Sequence, residues 1–233
     1  MSRIEPVAVA LDTAERETFE RWAAFFGPRV GVLKVGLEAF VRFGPAAVEA
    51  ARRAGGRVFL DLKLHDIPNT VAGAVASALE LGADFLTVHA GGGPAMLEAA
   101  VRAAGGRLGV LAVTVLTHLD AAELARLDLP GTAAERALAW ARLAREAGCA
   151  GVVCSPRELA ALRPVLPRPF LLVTPGIRPA GAEAGDQKRT ATPAAALAAG
   201  ADLLVVGRPL TGAPDPDAAL AALAAELARA AAG

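Results

Sequence analysis

The sequence predicts an α/β protein built as a single (β/α)8 barrel, the TIM-barrel architecture, and three observations lead to this prediction. Eight short apolar runs alternate with eight helical runs, and eight β-then-α units are the number that closes a parallel barrel. No polar linker interrupts the series, so one domain over residues 1–233 is expected. The alternative, an open doubly wound sheet, is disfavoured because Asp12-Thr13-Ala14-Glu15 replaces its glycine-rich first turn.

The predicted strands are short runs rich in valine, leucine and phenylalanine. In chain order they cover residues 7–12, 30–35, 58–63, 85–89, 108–116, 151–155, 170–174 and 203–207. Alanine-rich stretches between them predict helices at residues 13–26, 45–54, 70–81, 94–104, 132–147, 156–166, 192–199 and 217–232. Five glycines at the ends of these stretches are typical of C-terminal helix caps, namely Gly55, Gly82, Gly105, Gly148 and Gly200.

Composition excludes several classes of protein. The 54% hydrophobic and 21% charged content fits a globular chain with a large core. The formal net charge is zero and no basic run occurs, so neither nucleic acid nor a membrane surface is an expected partner. No leader opens the chain and no long uncharged apolar stretch follows, which favours a cytoplasmic location. The spacing of Cys149 and Cys154 fits no zinc site and predicts buried free thiols.

The segment 59–70 carries the strongest chemical signal. It begins as an apolar strand, yet Asp61 and Lys63 lie two residues apart and therefore on one face, with Asp66 just past the strand end. Burying such charges costs several kcal/mol per ion unless they are paired. This pattern predicts a functional site. Two structural alternatives stay open, an ion-pair network of Asp61, Lys63 and Lys34, and helix capping by Asp12 and Asp66.

Lysine usage points to proton chemistry. Of the 24 basic residues only three are lysines, and Lys34 and Lys63 both fall in apolar strand runs. An ammonium can release a proton when its surroundings shift its pKa, whereas a guanidinium cannot near neutral pH. The third lysine, Lys188, lies in a loop and is left out of the predicted site.

Polar residues collect at the carboxyl ends of the predicted strands, which is where barrels of this kind place their chemistry. They are Asp12, Lys34, Asp61, Lys63, His89, Thr117, Ser155 and Arg208. The three histidines, His65, His89 and His118, lack the spacing of a metal site, so no metal is expected. We interpret His89 as a structural residue near the site.

Six motifs in barrel order resemble the orotidine 5'-phosphate decarboxylase family. They are residues 7–12, 33–36, 59–70, 113–117, 174–179 and 207–209, and 185–189 extends the likeness. The resemblance implies decarboxylation of orotidine 5'-phosphate to uridine 5'-phosphate, a step of pyrimidine nucleotide synthesis, by a homodimer without a cofactor.

The resemblance also implies roles for individual residues. Lys34, Asp61, Lys63 and Asp66 match the family's alternating charge array, with Lys63 protonating pyrimidine C6. Asp66 and Thr70 would act across the dimer interface. The remaining substrate contacts would be Asp12 on the ribose, Thr117 on the pyrimidine edge, and Arg178, Gln187, Gly207 and Arg208. His118 departs from the small hydroxyl residue expected after Thr117.

A phosphate site is expected where Gly207-Arg208 follows the eighth strand, since barrels commonly bind phosphate there. The long segment 178–190 predicts a lid that closes over the anion. Two rival functions remain. One is the related metal-dependent branch, such as 3-keto-gulonate 6-phosphate decarboxylase, whose second-strand carboxylate is replaced here by Lys34. The other is a non-catalytic barrel that binds a phosphate ligand.

Overall fold

Eight parallel strands close a barrel in chain order, with β1 pairing with β8, in a computed structural model that describes residues 3–179 and 189–232. The strands are β1 (Ile4–Ala10), β2 (Val30–Gly36), β3 (Arg57–Leu64), β4 (Phe85–His89), β5 (Gly109–Val113), β6 (Gly151–Val153), β7 (Leu171–Thr174) and β8 (Leu203–Val206). The predicted (β/α)8 barrel is confirmed.

Helices surround the barrel and follow the strands. They are α1 (Arg16–Phe26), α2 (Leu37–Phe43), α3 (Pro45–Arg53), α4 (Pro68–Glu80), α5 (Gly93–Ala104), α6 (Ala121–Arg126), α7 (Ala133–Glu146), α8 (Leu159–Leu162), α9 (Pro193–Ala198), α10 (Arg208–Thr211) and α11 (Pro216–Ala232). The five glycines predicted at helix ends all have positive φ, between 56° and 107°, a region that favours glycine. Among the described helices, none is long and apolar enough to cross a membrane.

Some element boundaries differ from the prediction. Helix α2 was not predicted. Ala39 is buried and Phe40 and Phe43 pack against the core, but the exposed Leu37 and Val41 obscure the helical apolar pattern of this short stretch. Helix α6 was also missed. The strand expected over 108–116 ends at Val113, because the chain beyond it bends to line the cavity described below. The helix expected over 156–166 is a 3-10 turn (Pro156–Glu158) followed by the short α8.

Apolar side chains pack in two separate layers. Along β1, alternation sends Val7 and Val9 outward against the helices, and sends Ala8 and Ala10 into the barrel interior. The same period-2 pattern on the other strands fills the interior with side chains, so the centre of the barrel is a packed core. Polar chemistry is therefore confined to the ends of the strands.

Candidate functional site

A cavity of about 500 Å³ opens at the carboxyl ends of the strands, a volume in the range of small-molecule sites. Its floor is apolar and includes Phe59 and Val153. The polar and charged residues that line it are Asp12, Lys34, Glu38, Asp61, Lys63, Thr117, Arg178, Arg208 and Thr211. Gly207 lines it as well.

Lys34 and Asp61 reach the cavity from the barrel interior. Val32 and Phe59 pack in the inner layer, and the next residue on the same face of each strand is Lys34 on β2 and Asp61 on β3. Their side chains are only 8% and 13% exposed. The strand period thus places a nearly buried ammonium beside a nearly buried carboxylate.

Four predicted site residues form a chain of alternating charge. Lys34 Nζ lies 3.2 Å from Asp12 Oδ1 and 3.5 Å from Asp61 Oδ2, so it bridges the two carboxylates. Lys63 Nζ donates to Asp61 Oδ1 at 2.9 Å. Each charge in the array therefore lies beside one of opposite sign, an arrangement that favours the charged forms.

Lys63 reaches Asp61 through an irregularity of β3. The register with β4 shifts between Leu60 and Leu64. Lys63 has a φ of 51°, in the left-handed region that residues other than glycine rarely adopt. Simple alternation predicted one face for Asp61 and Lys63. Both line the cavity, but a bulge with a strained residue brings them there.

The charge state of Asp61 follows from competing influences. Burial is the largest and raises its pKa, because an anion is poorly solvated there. The attraction of Lys34 and Lys63, together with hydrogen bonds from Lys63 and Thr87, outweighs burial and holds the pKa of Asp61 below its usual value. Asp61 is therefore a carboxylate at neutral pH.

The sequence analysis did not predict Thr87 or Gly36 as site residues, nor Glu38 and Thr211, which also line the cavity. Thr87 on β4 is fully buried and hydrogen-bonds both Asp61 and Lys63. Gly36 leaves space for the charge array, since a Cβ there would lie 2.3 Å from Asp12 Oδ1 and 2.9 Å from Lys34 Nζ. Thr87 carried no sequence signal, and Gly36 appeared only as the last residue of the motif 33–36, without a role of its own.

Arg178 and Arg208 gather positive charge on the cavity wall. Burial, followed by the proximity of Arg208, lowers the pKa of Arg178, as expected for two guanidinium groups that face the same space. Gly207, which precedes α10, lies beside them in the lining. Gln187, Lys188 and most of the predicted lid lie outside the described residues.

Arg189 fixes the loop that carries Thr117. Its guanidinium pairs with Glu158 at 2.5 Å and donates to the carbonyls of Leu116, Thr117 and Leu119. Arg189 and Glu158 are buried. This contact joins the end of segment 178–190 to the cavity wall, a link that the sequence did not predict.

Asp66 and Thr70 stand apart from the charge array. Both are exposed, and the Asp66 carboxylate accepts from the backbone N–H of Ile67 at 2.6 Å. Within the described part of the chain, Asp66 forms no ion pair. The capping alternative fails for both aspartates, since the N-caps of α1 and α4 are Glu15 and Ile67.

Other polar strand-end residues have structural roles. Ser155 does not line the cavity and instead caps the Pro156–Glu158 turn, contrary to the expected convergence. His89 stacks on His65 at 5.1 Å and accepts from the Gly91 N–H through Nδ1, which supports its structural interpretation. His118 is exposed, whereas the preceding Thr117 lines the cavity.

Both cysteines are buried free thiols, as predicted. Burial raises the pKa of Cys149 to about 12 and also raises the pKa of Cys154. Across residues 3–179 and 189–232, no group of three or more His, Cys, Asp or Glu side chains is arranged to hold a metal ion. The carboxylates of Asp12 and Asp61 are both occupied by Lys34, which would repel a cation.

Comparisons with known proteins place this geometry in a family context. Residues 5–223 match the sequence model described as "Orotidine 5'-phosphate decarboxylase / HUMPS family". The orotidine 5'-phosphate decarboxylase of Thermobifida fusca is 58% identical over 95% of this chain and 95% of its own. That of Anaeromyxobacter sp. (strain K) is 57% identical over 97% of this chain and 100% of its own. The crystal structure of orotidine 5'-phosphate decarboxylase from Lactobacillus acidophilus superposes with a TM-score of 0.80 at 35% identity, covering 95% and 98% of the two chains.

Proposed function

This chain belongs to the orotidine 5'-phosphate decarboxylase / HUMPS family, and from that premise we propose that it converts orotidine 5'-phosphate to uridine 5'-phosphate as a carbon–carbon lyase without a cofactor. The observation that carries the proposal is the array Asp12–Lys34–Asp61–Lys63 in a cavity whose wall also holds Arg178 and Arg208. An ammonium aimed into a cavity that also holds anion-binding groups suits a phosphorylated acid.

Lys63 is the proposed proton donor. When the bond from C6 to the carboxylate breaks, carbon dioxide leaves and the electron pair stays on C6, a position with no electron sink. The Lys63 ammonium, held 2.9 Å from Asp61, stabilises this developing charge and then transfers its proton to C6. Enzymes supply roughly 8–23 kcal/mol of such stabilisation in total. Because the charged Asp61 carboxylate already holds the Lys63 ammonium in place, the ammonium does not have to reorient as charge develops on C6.

Asp61 has a proposed secondary role in the ground state. The substrate carboxylate next to C6 would approach the Asp61 carboxylate, and like charges ~4 Å apart repel by about 4 kcal/mol at an effective dielectric constant of 20. Loss of carbon dioxide relieves this repulsion. The two lysines hold Asp61 ionised against burial, so the repulsion persists at neutral pH.

The phosphate and ribose have proposed partners on the cavity wall. The guanidinium groups of Arg178 and Arg208 would pair with the phosphate, and the backbone N–H of Gly207 would donate to it. Asp12, half exposed and held by Lys34, would accept from the ribose hydroxyls. Thr117 would contact the pyrimidine edge, and Gln187 together with a lid over 178–190 would cover the phosphate.

A homodimer would complete the site. Exposed Asp66 and Thr70 follow β3, and the large apolar side chain of Ile67, next to Asp66, is 66% exposed. Exposed apolar surface that a second subunit would cover is typical of an interface. In this proposal the Asp66 carboxylate and Thr70 enter the partner's cavity. A reducing cytoplasm, the proposed location, is consistent with two cysteines kept as thiols.

The test is an absorbance assay of orotidine 5'-phosphate turnover with and without a chelator. We expect full turnover in both conditions. Loss of activity on chelation would favour the metal-dependent sugar-phosphate branch, and tight nucleotide binding without release of carbon dioxide would favour a non-catalytic barrel. Lys63→Ala should abolish turnover while uridine 5'-phosphate still binds; activity near that of the wild type would overturn the proton-donor assignment.

A further inference from the structure

We propose that Thr87 is a positioning residue that holds the Asp61–Lys63 pair in its reactive arrangement, an inference that rests on the proposed decarboxylase function. Thr87 lies on β4, the strand next to the one that carries the pair. Its side chain is fully buried and is not among the residues that line the cavity. It therefore acts on the substrate through Asp61 and Lys63.

The hydroxyl of Thr87 closes a ring of hydrogen bonds. The backbone N–H of Lys63 donates to Thr87 Oγ1 at 2.9 Å, and Oγ1 in turn donates to Asp61 Oδ1 at 2.9 Å. Lys63 Nζ donates to the same Oδ1 at 2.9 Å. The Thr87 hydroxyl thus fixes both the main chain of Lys63 and the Asp61 carboxylate that accepts a hydrogen bond from the Lys63 ammonium.

The ring compensates for the irregularity of β3. Where the register shifts between Leu60 and Leu64, the regular ladder no longer supplies an acceptor for the N–H of Lys63. Thr87 Oγ1 supplies it, and so supports the φ of 51° that aims the Lys63 side chain. A buried N–H left without a partner would favour a different backbone conformation at Lys63.

The position requires a group that both accepts and donates. Serine retains both functions, whereas valine has nearly the same shape and neither function. Without the hydroxyl, Asp61 Oδ1 keeps only one of its two hydrogen-bond donors. The carboxylate can then rotate toward Lys34, whose Nζ lies 3.5 Å from Oδ2. The ammonium of Lys63 would follow the carboxylate away from C6. Protonation and charge stabilisation should then suffer, while contacts to the phosphate and ribose remain.

The experiment compares Thr87→Val, Thr87→Ser and a matched control, Thr114→Val. Thr114 is also fully buried, and its hydroxyl donates to the carbonyl of Val153 at 2.9 Å, outside the charge array. For each variant we would measure kcat and KM with orotidine 5'-phosphate, the Kd of uridine 5'-phosphate and the melting temperature. These readouts separate a reduced kcat from general loss of structure.

We expect Thr87→Val to lower kcat by about 10- to 100-fold, the scale of a displacement near 1 Å at a reacting centre. Product affinity should stay within about twofold of wild type, since the hydroxyl does not reach the cavity. Thr87→Ser should restore most of the rate, and Thr114→Val should keep a near-normal kcat despite some loss of stability.

Three results would overturn the inference: a kcat for Thr87→Val equal to that of Thr114→Val, equal losses of kcat and product affinity, or no rescue by serine. Should Thr87→Val fail to fold, Thr87→Cys replaces it, because a thiol is a weak donor and acceptor and should give a kcat clearly below that of Thr87→Ser. A wild-type protein without turnover would instead refute the proposed function itself.

Discussion

At the scale of single residues, Asp61 connects the site. Oδ1 accepts from Lys63 and Thr87, and Oδ2 faces Lys34. Its folded pKa is lowered, so its ionisation stabilises the fold above the pKa of the unfolded chain, and this contribution is lost as the pH falls through the folded pKa. The two lysines thus offset the cost of burying the charged Asp61 carboxylate.

Substitution of Gly36 by alanine should reduce activity without reducing the stability of the protein. In Gly36→Ala the new Cβ would displace the flexible ends of Asp12 and Lys34, an adjustment that costs little folding energy but breaks their alignment. We expect kcat/KM to fall at least about tenfold, with a nearly unchanged melting temperature. Gly56→Ala is the matched control: Gly56 directly precedes β3, at the amino ends of the strands, and its Cβ would lie 3.0 Å from Leu33 Cγ, so this variant should lose stability and keep activity. The reverse pattern would contradict this account.

His89 predicts a pH dependence of stability. Burial, then the nearby His65 and Lys63, lower the pKa of His89 below 6.5. The unfolded chain therefore binds more protons, and stability should decrease as the pH falls from about 7 through 6.5 toward the folded pKa. In His89→Asn, which keeps an acceptor for the Gly91 N–H, urea unfolding should show a smaller stability difference between pH 7 and 5. An identical difference in both proteins would count against the assignment.

At the residue level, the sequence singled out side chains whose charge contradicted their apolar surroundings, and the structure brings them together at one cavity. Lys34, Asp61 and Lys63 were recognisable because a charge in an apolar strand needs a reason. Thr87 was not, since threonine is a common strand residue. Gly36 was one of 24 glycines, and its role depends on the side chains of Lys34 on its own strand and of Asp12, which follows β1.

At the scale of elements, the loops after the strands determine the site more than the strands themselves. The carbonyls of the 116–119 loop converge on Arg189, which comes from far along the chain. Strands and their order were predictable because local apolar pattern specifies them. The bulge of β3 and the Arg189 contact were not, since each depends on pairing between distant segments.

Arg189→Met should destabilise the protein by about 3–5 kcal/mol at pH 7, because it leaves a buried carboxylate unpaired. Burial already raises the pKa of Glu158, despite the opposing hydrogen bond from Ser155 and the charge of Arg189. In the variant the loss should shrink as the pH is lowered and Glu158 becomes neutral. Urea unfolding at pH 7 and 5 measures this change.

The double variant Arg189→Met/Glu158→Gln is the control for that experiment. Glutamine keeps an acceptor for the Ser155 N–H, which Glu158 receives at 2.8 Å, and removes the charge. It should recover much of the lost stability at pH 7. A double variant no more stable than Arg189→Met would show that the carbonyl contacts, not the charge, dominate.

At the scale of the whole molecule, the barrel separates stability from chemistry. Apolar layers fill the interior and the space beneath the helices, while the array of Asp12, Lys34, Asp61 and Lys63 lies at the rim formed by the carboxyl ends of the strands. Strand number and order made this architecture predictable from sequence. The position of a second subunit was implied by resemblance alone, because a single chain's pattern does not reveal which exposed side chains meet a partner.

Mixed dimers test whether the sites are shared. A Lys63→Ala chain paired with an Asp66→Ala chain would contain one intact site, formed by Lys63 of one subunit and Asp66 of the other. Random mixing of two inactive proteins should restore about one-quarter of wild-type turnover per site. No recovery in confirmed mixed dimers would place Asp66 outside the partner's site.

The positive φ of Lys63 changes how its substitutions must be compared. Alanine at this position removes the amine but keeps the unfavourable main-chain geometry, whereas glycine removes both. The usual preference for alanine over glycine within an element should therefore invert here, with Lys63→Gly the more stable by about 1–2 kcal/mol. Calorimetry on the two variants would measure the stability lost to the strained main chain at residue 63. Because both variants lack the amine, the difference between them contains no effect of charge.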